Sequence, residues 1–336
     1  GPKFPARLRK RGIVTAFWYV ENWRHLPYWK DIAPGYDYFF HIQPGEFERQ
    51  LDEIGCANHA FVQTGCDPDA HRPVTLTEEE QPVYGCDVSF AGAGYYNRHQ
   101  VFKGLTDYDF KLWGVEWSTR ELSRHVAGGE RRFDTEAFMK IVAGTKVNLN
   151  LHSSTTHEGI DPECDAINPR VFEIAAAGGF QLCDPCIGLD RHFDFDTELP
   201  VYRTLHQLRE RIDYYLAHPE ERDAVAQRAR KRALAEHTYA HRARQMLQLI
   251  FERHGARILR RGVRVQRKVG EMVERAGPGT ELGRWLATLP PETPFTQEGL
   301  TPFLRAGAAD ASYPERLFTY MREVREFAES LLKTPR

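Results

Sequence analysis

Residues 146–184 read KVNLNLHSSTTHEGIDPECDAINPRVFEIAAAGGFQLCD. The run Val147-Asn148-Leu149-Asn150-Leu151 has the make-up of a buried strand, and it ends in a polar loop of His152, Ser153, Ser154, Thr155, Thr156 and His157. A helix is expected from Asn168-Pro169, because proline at the first helical position costs no hydrogen bond. Ala175-Ala176-Ala177-Gly178-Gly179 then permits close packing before a second strand. Strand, loop, helix and strand make one unit of a parallel α/β layer. In such sheets ligands bind beyond the carboxyl ends of strands, and the free N–H groups of a helix start attract anions. Arg170 in the first helical turn opposes the helix dipole, which an anion nearby would rationalise, and Glu173 follows one turn later. The segment reads as a ligand site rather than as a plain strand–helix–strand unit with surface charges.

The alternation extends on both sides. Strands are expected at Ile13–Tyr19, Tyr38–Ile42, His59–Val62, Asp87–Ala91, Phe110–Gly114, Val147–Leu151 and Gly179–Cys183. Helices are expected at Glu46–Ile54, Arg98–Leu105, Asp134–Ala143 and Pro169–Ala177. Residues 64–86 (TGCDPDAHRPVTLTEEEQPVYGC) are polar and unpatterned, and read as a linker. Beyond Leu205 the pattern is helical, broken at Pro278 and at PPETP (290–294), with a final helix near Pro314–Lys333. The first α/β unit is short, so the sequence is expected to begin part-way through it; Gly1-Pro2 reads as a protease scar. The fold class is α/β, with an N-terminal domain and linker at 1–85, a second domain at 86–240 and a helical extension at 241–336.

Composition excludes several classes. In 336 residues, 45 Lys and Arg stand against 47 Asp and Glu, a net charge of -2, so no nucleic acid is held by bulk charge. With 41% hydrophobic and 27% charged residues the chain is of the soluble globular kind. No uncharged apolar run approaches the roughly 18 residues of a membrane span, and no apolar core follows the basic start, so a cytoplasmic protein is expected. Six cysteines are too few for a disulfide scaffold in a chain of this length. Cys183-Asp-Pro-Cys186 and His237-x-x-x-His241 are a poor zinc signal without a second Cys-x-x-Cys, and no metal is expected. From Arg222 to Lys268 there are 14 Lys and Arg but 3 Asp and Glu, with Arg253, Arg257, Arg261, Arg264 and Lys268 at helical spacing. That face reads as solvated, with weak membrane-surface contact through 250–268 as the alternative.

Residues 86–105, CDVSFAGAGYYNRHQVFKGL, give a strand, then Gly92-Ala93-Gly94, then a helix opening near Asn97-Arg98. Gly-x-Gly alone is weak. With Arg98 at the helix start it would set a cation and bare amides around a diphosphate. Asn97 stands where the dinucleotide fingerprint needs its third glycine, which disfavours NAD.

DVSFAGAGYYNRHQVF, VNLNLHSS, INPRVFEIAAAGGFQLCD and HTYAHRARQML (237–247), with TAFWYVEN (15–22) and VQTGCDPDAHRP (62–73) upstream, resemble the CgeB-like (spore-maturation-protein type) glycosyltransferases of the two-Rossmann GT-B group. The resemblance implies two Rossmann-like domains facing a cleft, with a nucleotide diphosphate sugar on the C-terminal domain and a hydroxyl acceptor of unknown kind on the other. It also implies donor contacts from Gly92, Gly94, Arg98, His152, Ser153, Asn168, Arg170 and Glu173, with no cofactor beyond the donor. Many such enzymes carry Glu-x7-Glu, whose second Glu holds the ribose. Asp165 and Glu173 have that spacing here, which makes Glu173 the ribose residue, Asp165 a shorter acid beside the sugar, and retention the favoured outcome. Asp194-Phe-Asp196 follows the donor segment and reads as a connecting loop, so no metal is implied for the diphosphate.

On the acceptor side Glu21, after the strand-like TAFWYV, is the expected base or electrostatic partner, against a surface carboxylate. Trp18, Trp23, Trp29, Tyr28 and Tyr36 around it read as core before sugar-stacking faces. Two other functions fit the same sequence: a nucleotide-sugar epimerase of this fold, and a non-catalytic nucleotide-sugar-binding or scaffold protein.

Overall fold

The computed structural model describes residues 3–117, 119, 121–262, 267–305, 308 and 310–333, without the side chains of 3, 257, 259–262 and 327–333. All seven expected strands form, in two parallel sheets. The first holds β1 (Ala16–Tyr19), β2 (Tyr38–His41) and β3 (His59–Phe61) in that order. The second holds β4 (Cys86–Ala91), β5 (Phe110–Trp113), β6 (Thr145–Asn150) and β7 (Gln181–Cys183), ordered β5-β4-β6-β7. The connections leave β4 toward β5 on one side and β6 on the other, so the strand order reverses between β4 and β6. A crevice at the carboxyl ends of the strands opens at such a reversal.

The second sheet is buried on both faces, which is why β6 alternates Val147 and Leu149 with Asn148 and Asn150, all four buried. Buried amides need partners. Asn148 Nδ2 donates to the Phe180 carbonyl at 3.0 Å, and Asn150 Nδ2 to Asn168 Oδ1 at 3.3 Å. Val88, Phe90, Leu112, Val147, Leu149 and Leu182 form the core with Phe102, Trp117 and Tyr202. In the first sheet Tyr19, Trp29, Phe39, Phe47 and Leu51 form a separate core, and Trp23 stacks on Phe47 at 5.6 Å. Trp23 and Trp29 are thus packing residues, while Tyr28 is exposed.

The segment read as a linker is not loose at its start. Cys66 is fully buried; its N–H donates to the His237 carbonyl at 2.9 Å, and its own carbonyl accepts from Tyr239 at 2.8 Å. Arg242 Nε reaches the Thr64 carbonyl at 3.0 Å. Polar composition concealed this, because the pairing partners lie far along the chain.

Ala16–Arg242 form one compact unit, and Lys3–Thr15 with the chain from Ala243 onward form another. In the second unit the helices Val269–Ala276, Glu281–Ala287 and Tyr313–Lys333 enclose Val269, Leu286, Leu300 and Phe318, and Trp285 stacks on Phe318 at 5.4 Å. The helical extension expected from sequence is present. Of the basic face, Arg264 and the side chains of Arg257 and Arg261 lie outside the described residues; Lys268 precedes the Val269–Ala276 helix and pairs with Glu292. Among the described residues no helix is long and apolar enough to cross a membrane.

A Cβ at Gly65 would stand 2.5 Å from the His237 carbonyl oxygen, whereas one at Gly159 would meet nothing within 4 Å. Gly65→Ala is expected to lose about 1–3 kcal/mol in denaturant unfolding, and Gly159→Ala to stay within about 0.5 kcal/mol.

Candidate functional site

The loops after β4 and β6 meet at the strand-order reversal. Gly92 and Gly94 were expected to offer bare amides there, but the structure spends both elsewhere. Gly92 N–H donates to the Trp113 carbonyl and Gly94 N–H to the Val115 carbonyl, each at 2.9 Å. The β4 chain thus keeps pairing with the chain leaving β5, so closely that a Cβ on Gly94 would stand 2.0 Å from the Glu116 carbonyl oxygen. These glycines serve a backbone crossing.

Arg98 is likewise turned inward and is 8% exposed. Its Nε and Nη2 donate to the Leu151 carbonyl at 2.9 and 2.8 Å, and its Nη1 to the Ala93 carbonyl at 2.8 Å. The guanidinium also lies over Phe90 at 4.7 Å and Tyr95 at 5.0 Å. Burial lowers its pKa to about 10. Neighbouring Asn97, unforeseen as a site residue, is fully buried: Nδ2 donates to the His152 carbonyl at 2.7 Å and Oδ1 accepts from Ser154 N–H at 2.9 Å. The only sequence signal was its intrusion into the glycine pattern. Together the two residues fix the loop beyond β6.

In that loop Ser153 is exposed and His152 is buried. Asp184, at the end of β7, accepts from both His152 Nδ1 and the His152 backbone N–H through Oδ1, each at 2.8 Å. Burial disfavours the charged ring, but Asp184 and Cys164 together outweigh it and raise the His152 pKa to about 8. Asn168 Nδ2 donates to Asn150 Oδ1 at 2.8 Å, fixing the start of the Arg170–Ala176 helix against β6.

Arg170 and Glu173 do meet. Arg170 Nη1 donates to Glu173 Oε2 at 2.5 Å, and His71 Nε2, from the segment after β3, stands 3.8 Å from Glu173 Oε1. The Arg170 guanidinium lies 4.0 Å above the Phe138 ring, with its side chain 35% exposed.

Asp165 is engaged by the first sheet's loops. Arg24, unforeseen from sequence, binds it bidentately at 3.1 and 3.0 Å, and Gln43 Nε2 donates to Oδ1 at 2.7 Å. Two cavities share Arg24, Glu163 and Asp165 in their walls: one of about 180 Å³, which also includes Asn22, Ser153 and Asn168, and one of about 640 Å³, which includes Phe61 and Ile187. Glu21 lines neither cavity. Val20 and Asn22 face the smaller one, and Glu21 between them is exposed, close enough to add to burial in raising the Tyr28 phenol pKa. The carboxylates that do face the smaller cavity, besides Asp165, are Asp161 and Glu163.

Residues 98–248 match the family model described as glycosyl transferase-like. Among curated proteins none matches the chain. Among solved structures, the sucrose-phosphate synthase of Thermosynechococcus elongatus superposes with a TM-score of 0.54 at 14% identity, over 76% of this chain and 72% of that one. Anabaena HepE in complex with UDP-glucose gives 0.54 at 10% identity, over 74% and 76%. A glycosyltransferase of Rickettsia africae gives 0.52 at 12% identity, over 74% and 79%. With two parallel α/β sheets and this likeness, the chain carries the GT-B glycosyltransferase fold.

Proposed function

We propose that this protein transfers a sugar from a nucleotide diphosphate sugar to a hydroxyl acceptor. The observation that carries the reading is the Arg170–Glu173–His71 group, on and beside the helix that begins just after Asn168 and Pro169 of the smaller cavity's wall. In this account Glu173 accepts from the ribose hydroxyls, which frees the partly exposed Arg170 to bind the diphosphate. A leaving diphosphate gains negative charge in the transition state, and the Arg170 cation, held over Phe138, stabilises it there. Arg98 contributes by positioning the loops. No bridging divalent cation is assigned, because Arg170 supplies the charge. Support comes also from the match over 98–248 and from Anabaena HepE, solved with UDP-glucose.

Two observations favour a second reading, a nucleotide-sugar-binding protein without catalysis. Asp165 is occupied by Arg24 and Gln43, and Glu21 stands outside both cavities. An epimerase would also turn over the donor, but with no acceptor. Product analysis separates the three: acceptor-dependent nucleoside diphosphate release with Mg²⁺ and Mn²⁺ omitted supports transfer. Full dependence on added Mn²⁺ contradicts the metal-free diphosphate site.

Each charge-assisted contact to a carboxylate contributes about 1.5–3 kcal/mol. Glu173→Gln is therefore expected to raise the donor KM roughly 10- to 150-fold at about 1.4 kcal/mol per tenfold, with kcat little changed. Arg98→Lys is expected to act on stability, losing about 1–3 kcal/mol because a lysine cannot serve both carbonyls. Arg170→Met is expected to raise the donor KM while shifting the melting temperature little.

A further inference from the structure

Beneath the loop that follows β6, the side chains of His152, Cys164 and Cys186 converge from the end of β6, the loop before the Arg170–Ala176 helix and the loop after β7. A ring nitrogen of His152 and the two Sγ atoms all lie within 4.8 Å of one another. The two sulfurs are 3.3 Å apart, and both cysteines are free. His152 is 2% exposed, and its Nε2 has no hydrogen-bond partner among the described residues. Its other ring nitrogen is held by Asp184, so the unpartnered nitrogen is turned away from that carboxylate. Leaving a buried nitrogen unsatisfied is costly, and nothing in the sugar-transfer reading uses it.

We propose that His152, Cys164 and Cys186 form a transition-metal site that takes zinc. Two thiolates and an imidazole are the donor set that favours zinc over magnesium, calcium or manganese. Zinc–sulfur distances of about 2.3 Å and zinc–nitrogen distances of about 2.0–2.1 Å in a tetrahedron put ligand atoms roughly 3.4–3.8 Å apart. Closure therefore requires adjustments on the order of an ångström. Asp184 completes the arrangement found around metal-bound histidines, a carboxylate on the far ring nitrogen that fixes tautomer and orientation. Cys164 and His152 also line the smaller cavity, which gives a water the fourth position. The sequence pairs that first suggested zinc are not the ligands. His237 is spent on the His192 carbonyl and Arg242, and His241 on Thr238; only Cys186 of the Cys-x-x-Cys belongs to the site. The proposal does not rest on the sugar-transfer reading.

The test is cobalt(II) added to the reduced, metal-stripped full chain. The expected result is one cobalt per chain, with thiolate-to-cobalt charge-transfer absorption and tetrahedral visible bands that zinc displaces one for one. Cys164→Ser and Cys186→Ser should each remove about half the charge-transfer intensity. Cys86→Ser, distant at the start of β4, should change nothing. Asp184→Asn should weaken affinity about 10- to 100-fold while keeping the spectrum. If the serine variants fail to fold, the wild-type spectrum decides alone. A reduced wild-type chain without thiolate–cobalt absorption overturns the proposal. So does a Cys164–Cys186 disulfide formed in air by a chain that takes up no metal when reduced.

Discussion

Arg98 reaches the carbonyls of Leu151 and Ala93 from a site 8% exposed, so one guanidinium ties together the chain leaving β4 and the chain leaving β6. A buried cation must be solvated by something, and here backbone dipoles and two aromatic faces do it. That requirement fixes where each loop turns. Asn97 adds the second clip, from its amide to His152 and Ser154. Everything proposed for the cleft hangs from these loops: Ser153 at the cavity, His152 in the grip of Asp184, and Asn168 at the start of the helix that carries Arg170 and Glu173.

The strands were legible because their signal is local. Val147-Asn148-Leu149-Asn150-Leu151 is short, β-branched or apolar at alternate positions, and bounded by a polar loop, so no tertiary knowledge is needed to place β6. Asp134, marked as the start of a helix, caps Thr135–Gly144 by accepting from Ala137 N–H at 2.8 Å. What escaped the sequence depends on distant partners. The burial of Cys66 needs His237 and Tyr239; the fate of Asp165 needs Arg24, 141 residues away. Composition marks both segments as polar, and both are polar. The sequence puts Arg98 and the glycines just beyond β4, but the direction of a side chain or an amide is set by packing, and all three turn to backbone carbonyls. The thiol and imidazole cluster was hidden for the same reason, since its three members lie in separate loops.

Two observations bear on how the cleft works. Asp165 joins the second sheet's loops to the first sheet's through Arg24 and Gln43, and Gln43 also accepts from Trp23 N–H at 3.0 Å. Because Arg24 is 42% exposed, this bridge is screened and contributes no more than about 1 kcal/mol. It organises the boundary between two cavities without locking it. Glu173, by contrast, is 8% exposed and already has a cation and a histidine beside it. A hydroxyl-rich ligand would find a preorganised acceptor there.

The central claim is that this crevice holds a nucleotide diphosphate sugar. Isothermal titration of UDP-, GDP- and dTDP-sugars into the full chain tests it most directly. The account predicts that at least one saturates a single site and is displaced by its own nucleoside diphosphate. Absence of binding by all three sugars and by their free diphosphates would contradict it.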